Sequence, residues 1–229
     1  MIVNRKEFYG GAGMMALFLI ILALFFAPLY GGHNGLAYLD NLYNSISKNS
    51  VNYIDMVQDT AKNVSGTEVD VVLKGNDAAQ IEVMTRLLES TGARLVPEDA
   101  GLRVTGDLGA ILQTAVTDVE DMYHNRGAAV SERRGGLEAR EGLYTWWHLL
   151  GQLEKQLKKQ SLFASAKDVA LVITRGVEPA YNYYGVEAQR MSERLGVVIF
   201  SLVFYVVYTL WYGFAILFMF EGWGLKIGH

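Results

Sequence analysis

Leu195 to Phe220, LGVVIFSLVFYVVYTLWYGFAILFMF, is 26 residues long and contains no charged side chain. As a helix rising about 1.5 Å per residue it reaches roughly 39 Å, longer than the about 30 Å hydrocarbon core of a bilayer. The stretch therefore predicts a membrane span with some tilt. The competing reading is a buried helix of a soluble domain, but a chain of 229 residues offers no core large enough to enclose such a helix on every side. Only EGWGLKIGH, residues 221–229, follows, so no downstream domain is expected.

A second apolar run, GGAGMMALFLIILALFFAPLY at 10–30, follows a start that carries Arg5 and Lys6. Tyr9 and Tyr30 stand at its ends, where aromatic residues favour the membrane interface. A cleaved signal peptide has a similar charged start and apolar run. The run is long for that, however, and Pro28 sits where the best small-residue cleavage site would be cut, so an uncleaved signal-anchor is the expectation. Arg5 and Lys6 before the first span and Lys226 after the second place both termini in the cytoplasm by the positive-inside rule. Residues 31–195 are then extracytoplasmic, in the periplasm if the membrane is a bacterial inner membrane.

This middle segment holds 17 of the 20 Lys and Arg and 22 of the 24 Asp and Glu, a net charge near −5. That is the wrong sign for a nucleic-acid surface. The chain has no cysteine, which excludes disulfides, thiolate catalysis, cysteine-ligated zinc, iron–sulfur clusters and covalently attached haem.

Within the middle, Leu36 to Lys62 has helical spacing with a break near Lys48 to Ser50. From Glu68 the texture changes. TEVDVVLKG reads as a strand, DAAQIEVMTRLLEST as a helix capped by Asn76 and closed at Gly92, and ARLV and GLRVTG as strands about the turn PEDAG. Asp107 then caps LGAILQTAVTDVEDMYHN. Strand, helix, two strands and helix over 68–124 predict an α+β unit with one sheet face under its two helices. A charged connector, RGAAVSERRGG, leads to a helical hairpin over 137–177. Its first helix carries a stripe of Leu143, Trp147, Leu150, Glu154 and Leu157, with Tyr144, Trp146 and Leu153 beside it. Its second carries Phe163, Ala166, Ala170, Ile173 and Val177, and Pro179 is expected to interrupt it. The fold class is thus a membrane protein of α+β type, two spans flanking one domain.

Catalytic patterns are lacking. There is no GxSxG, HExxH, calcium loop or phosphate-binding glycine loop, so neither a catalytic group, a metal nor a cofactor is assigned. His33, His124, His148 and His229 share no ligand spacing. His33 follows the first span and could meet a lipid head, a quinone or a metal in a partner subunit. The acid pairs Glu98–Asp99 and Glu120–Asp121 read as solvated. Candidate contacts for a partner or ligand are the YNYYG cluster, with Tyr181, Tyr183 and Tyr184, together with Trp146 and Trp147, since a helix buries only one of two adjacent tryptophans easily. In the second span, Tyr205, Tyr208 and Tyr212 carry hydroxyls that need partners at membrane depth, and Gly213 offers close approach, so packing on other helices is expected.

Spans without ionisable groups argue against a transporter, and no cytoplasmic output domain is expected. The reading is a non-catalytic accessory, scaffold or assembly subunit of a membrane complex, in contact with lipid and with other subunits or further copies of itself. Two alternatives are a sensory ectodomain signalling through partner helices and a quinone-adjacent subunit of a redox complex. A pocket at Tyr181, Tyr183, Tyr184 and Trp147 favours the sensor, and a flat apolar patch there favours assembly.

Overall fold

The computed structural model describes residues 2–99 and 101–225; Ala100 of the PEDAG turn, Lys226 and His229 lie outside them. In chain order the elements are α1 (Arg5–Phe26), α2 (Gly35–Ser50), α3 (Ile54–Asn63), β1 (Glu68–Lys74), α4 (Ala78–Glu89), β2 (Arg94–Glu98), β3 (Gly101–Asp107), α5 (Leu108–Tyr123), α6 (Gly127–Arg133), α7 (Ala139–Lys159), α8 (Phe163–Val172), a π-helical turn (Ile173–Val177), α9 (Glu178–Asn182) and α10 (Met191–Gly222). The protein is mostly helical, with one antiparallel sheet of order β1-β3-β2. Two compact units form: Met1–Ile46 with Ala188–His229, and Ser47–Glu187.

In the first unit, α1 and α10 are long and apolar enough to cross a membrane. Both leave large apolar side chains uncovered, Ile20 and Leu24 of α1 at 57% and 54% and Phe200 and Tyr205 of α10 at 67% and 68% exposed. The first helix starts and stops earlier than the 10–30 run predicts. Asn4 Oδ1 caps it by accepting from the Glu7 N–H at 3.4 Å, and Ala27 is extended, φ −73° and ψ 149°, as the residue before a proline must be. Tyr30 therefore lies beyond the helix and pairs with His33 in a tight turn through Gly31 and Gly32, both at positive φ.

α1 and α10 pack antiparallel. Phe8 meets Trp223, Phe18 stacks on Tyr208 at 4.2 Å between centroids, and Phe25 faces Phe204. Trp211 Nε1 donates to Met14 O at 3.2 Å. Two glycines permit the approach. A Cβ on Gly11 would lie 2.8 Å from Ala215 O and from Met219 N, and one on Gly222 would strike the Phe8 backbone. Within this pair the Tyr208 and Tyr212 rings lie beside Phe18, while the buried Tyr208 hydroxyl has no hydrogen-bond partner among the described residues. Tyr205 points outward, and Gly213 has nothing within 4 Å of a built Cβ. Because the obstacle at Gly11 is backbone, Gly11→Leu must push the helices apart. We expect it to lower the thermal stability of the detergent-solubilised chain by about 1–3 kcal/mol. Gly13→Leu, which enters open space, should leave the melting curve unchanged; equal loss in both would refute the packing.

In the second unit, β1 alternates with Val69, Val71 and Leu73 inward and pairs with β3 from Glu68↔Asp107 to Lys74↔Gly101. α5 runs through the core with Ile111, Leu112, Ala115, Val116, Val119 and Met122 buried, its N-terminus capped by Asp107 Oδ1, which accepts from Gly109 N at 2.9 Å. α4 is capped one residue later than expected. Asp77, not Asn76, accepts from Gln80 N at 2.8 Å, and Gln80 returns a bond to the Asn76 N–H at 2.7 Å. The helix ends at Ser90, with Gly92 two residues on at φ +73°. The break between α2 and α3 falls at 51–53.

The sheet is covered by more than its own two helices, because α7 packs along β1 as well. Gln152, Gln156 and Gln160, one per turn, donate to the carbonyls of Lys74, Val72 and Asp70 at 2.5, 3.3 and 2.9 Å. These are alternate residues of an edge strand, whose outward N–H and C=O groups would otherwise stay open to another chain. On the opposite edge, β2 carries Pro97, which has no N–H to offer such a strand.

Helix α7 buries Leu143, Trp146, Leu150, Leu153 and Leu157, a stripe turned away from Trp147, which is 43% exposed. On α8, Phe163 is exposed while Val169 and Val172 fill the core. Pro179 does not interrupt the second helix. The π turn, in which Glu178 N–H reaches Ile173 O, precedes the proline at the start of α9, where its missing N–H is tolerated.

Two buried polar clusters complete this unit. Asp118, 1% exposed, takes Arg134 Nε at 2.9 Å, Arg133 Nη1 at 2.6 Å and Trp146 Nε1 at 2.9 Å. Arg134 in turn donates to Ser90 Oγ at 2.5 Å. Asp121 beside it pairs with Arg126 and Arg133. It is therefore an ion-paired acid and not a solvated one; burial pushes its carboxyl up, but the bonds from Arg133 and Arg126 hold it below the usual range. The second cluster is Lys48, 2% exposed. Its Nζ donates to Asn125 Oδ1 at 3.0 Å, Tyr183 O at 3.1 Å and Val186 O at 2.6 Å, and Tyr123 Oη donates to its carbonyl at 2.6 Å. Asn125, at φ 60°, a backbone state Asn tolerates better than most residues, also accepts from Gly185 N and donates to Val186 O and Glu187.

Candidate functional site

The second unit bears one concavity lined by exposed aromatic rings. It measures about 280 Å³ and is bounded by Tyr144 and Trp147 from α7, Val177 from the π turn, and Glu178, Tyr181 and Asn182 from α9. Each wall is an i, i+3 pair: Tyr144 with Trp147, and Glu178 with Tyr181. Residues three apart share a helix face, so α7, which buries leucines on one side, presents Tyr144 and Trp147 on the other, and the single turn of α9, which buries Ala180, presents Glu178 and Tyr181. The Tyr144 and Trp147 rings lie nearly parallel, 6.1 Å apart. Trp147 Nε1 donates to Glu178 Oε1 at 3.1 Å, joining the two walls. The second carboxylate oxygen has no hydrogen-bond partner among the described residues.

Of the residues singled out from sequence, Tyr181 and Trp147 meet here. Tyr183 does not; it is half-buried and its carbonyl serves Lys48. Tyr184 packs against the core, its hydroxyl over Gly127, with the Arg140 guanidinium 5.6 Å from its ring and 5.7 Å from that of Tyr181. Trp146 is removed from any surface, being wholly buried with its N–H on Asp118, because it falls on the leucine face of α7. Sequence reasoning missed Tyr144 and Glu178 as partners of the groove. Their i, i+3 relation to Trp147 and Tyr181 was the available signal.

His33 is exposed in its turn. In its unit an apolar cleft of about 200 Å³ opens between Ile21, Phe25, Tyr38, Val197, Phe200 and Phe204, but His33 does not line it. His124 closes α5, edge-on to Tyr123. Among the described residues no three His, Asp or Glu side chains gather closely enough to hold a metal.

The groove can therefore bind by stacking, apolar contact and a single negative charge; it assembles no nucleophile with a base. Fold and site together define a helical protein with two candidate membrane helices and an α+β domain bearing an aromatic groove. No family model, curated protein or solved structure matches the chain.

Proposed function

We propose that the chain is a non-catalytic, two-pass membrane protein whose middle domain is an extracytoplasmic recognition module, with the aromatic groove as its binding site. The observation that carries this reading is the shape of the surface at Trp147 and Tyr181: a hollow with rings on two sides and a carboxylate between them, not a flat apolar patch. Small-ligand sites take this form, apolar walls with a few placed polar groups. The arrangement of Arg5 and Lys6 before α1 supports cytoplasmic termini and an inner-membrane location.

The test is native mass spectrometry of the protein extracted gently from its own membrane. A small molecule retained by the wild type and lost in Trp147→Ala is the expected result. Partner subunits in fixed stoichiometry, indifferent to Trp147→Ala and with no small molecule bound, would replace this reading with that of an assembly subunit.

One observation favours that second role as an addition. Tyr205 lies about 4 Å along the helix from the middle of the charge-free stretch and is 68% exposed. Its hydroxyl would face hydrocarbon, where no water can satisfy it. A helix from another subunit or another copy supplies the missing acceptor, through which a bound state of the domain could be passed on.

A further inference from the structure

We propose that the groove between α7 and α9 recognises a quaternary ammonium group, either of a free small molecule or of a choline lipid headgroup; this rests on reading the groove as a binding site. Tyr144, Trp147 and Tyr181 are 48%, 43% and 37% exposed, so their rings, whose π faces carry partial negative charge, are accessible to a ligand, with one face of Tyr181 taken by Arg140. Cations lying over such faces, tryptophan above all, are held by the ring quadrupole. Among the described residues, Glu178 is the only charged one in the lining. One of its oxygens is occupied by the Trp147 N–H, which orients both groups, and the other is left to balance a positive ligand.

Among the described residues, no lysine or arginine lines the hollow. Arg140 lies over the Tyr181 and Tyr184 rings and is not part of the lining. An anionic ligand would meet the Glu178 carboxylate and ring faces, both repulsive, with no cationic side chain in the described lining to offset them. A primary ammonium carries three N–H donors that need acceptors, and the walls offer few beyond Glu178 and Asn182. A quaternary ammonium needs none and matches an apolar, ring-lined hollow of about 280 Å³.

The experiment uses the full chain in nanodiscs of phosphatidylglycerol, labelled with 5-fluorotryptophan. The chain has four tryptophans, and the Trp147 signal is identified by its absence in Trp147→Phe. Choline is titrated against its neutral isostere 3,3-dimethylbutan-1-ol. Choline should shift the Trp147 signal saturably while the isostere leaves it in place. Glu178→Gln, which keeps an acceptor for the Trp147 N–H, and Tyr181→Leu should each weaken choline about tenfold. In a parallel arm, nanodiscs containing phosphatidylcholine and no free choline are compared with phosphatidylglycerol alone. A shifted Trp147 signal there identifies the lipid headgroup as the source, and a shift with free choline only identifies the small molecule. Equal binding of the isostere, or no response in either arm, overturns the proposal. In that case the groove reading still stands if the native protein loses a bound species in Trp147→Ala, and falls with the proposal if it does not.

Discussion

Asp118→Ala is expected to destabilise the Ser47–Glu187 unit by about 3–5 kcal/mol, a large fraction of the about 5–15 kcal/mol typical of a folded domain. The carboxylate is 1% exposed and Arg134 beside it only slightly more so. Removing the acid leaves a guanidinium out of water with Ser90 as its nearest remaining close partner, and strips the acceptor from the buried Trp146 indole. The loss reflects that stranded charge, not the worth of the ion pair. Replacing both partners, as in Asp118→Leu with Arg134→Met, should recover much of it. Urea unfolding of the solubilised chain, followed by near-ultraviolet dichroism of the tryptophans, measures both. A single-variant loss under about 1 kcal/mol would mean that water reaches Arg134 and that the cluster is not sealed.

Lys48→Met is the second large effect, about 2–3 kcal/mol, because three acceptors lose their common donor: Asn125 Oδ1 and the carbonyls of Tyr183 and Val186. It also carries a pH signature. Burial lowers the Lys48 ammonium below its usual 10.5, partly opposed by the Glu187 carboxylate. Between the lowered value and 10.5 the unfolded chain holds the proton that the folded chain has released. Stability from this group therefore rises with pH across that window and is flat below it. Tyr123 acts oppositely, since burial raises its hydroxyl above the usual 10.0, so that stability falls once pH passes 10. The rise is to be sought below pH 10, in the wild type, and should vanish in Lys48→Met. A rise unchanged in the variant would assign it to another group.

Both clusters explain why some features could be read along the chain and others could not. The two apolar runs were legible because a span is a local property: some twenty residues without charge meet a bilayer's thickness whatever else the chain does. The strand, helix, strand, strand, helix order and the Asp107 cap were legible for the same reason, being set by alternation and by bonds within three residues. Tertiary contacts decided what local pattern left open. Which of Trp146 and Trp147 turns inward depended on where the leucine face of α7 met β1 and α5, with Asp118 waiting there. Pro179 was expected to end a helix, and a π turn made upstream lets the helix pass through it. Gly11 and Gly222 gained their role only from the backbone opposite, a role no helix acquires alone. The groove brings together residues of α7 and α9 that lie more than thirty positions apart in sequence, and the glutamine row on α7 reads as ordinary surface until the edge of β1 lies beside it. Short-range bonding and hydropathy are written in neighbouring residues, whereas burial, pairing and cavities depend on what the rest of the chain brings near.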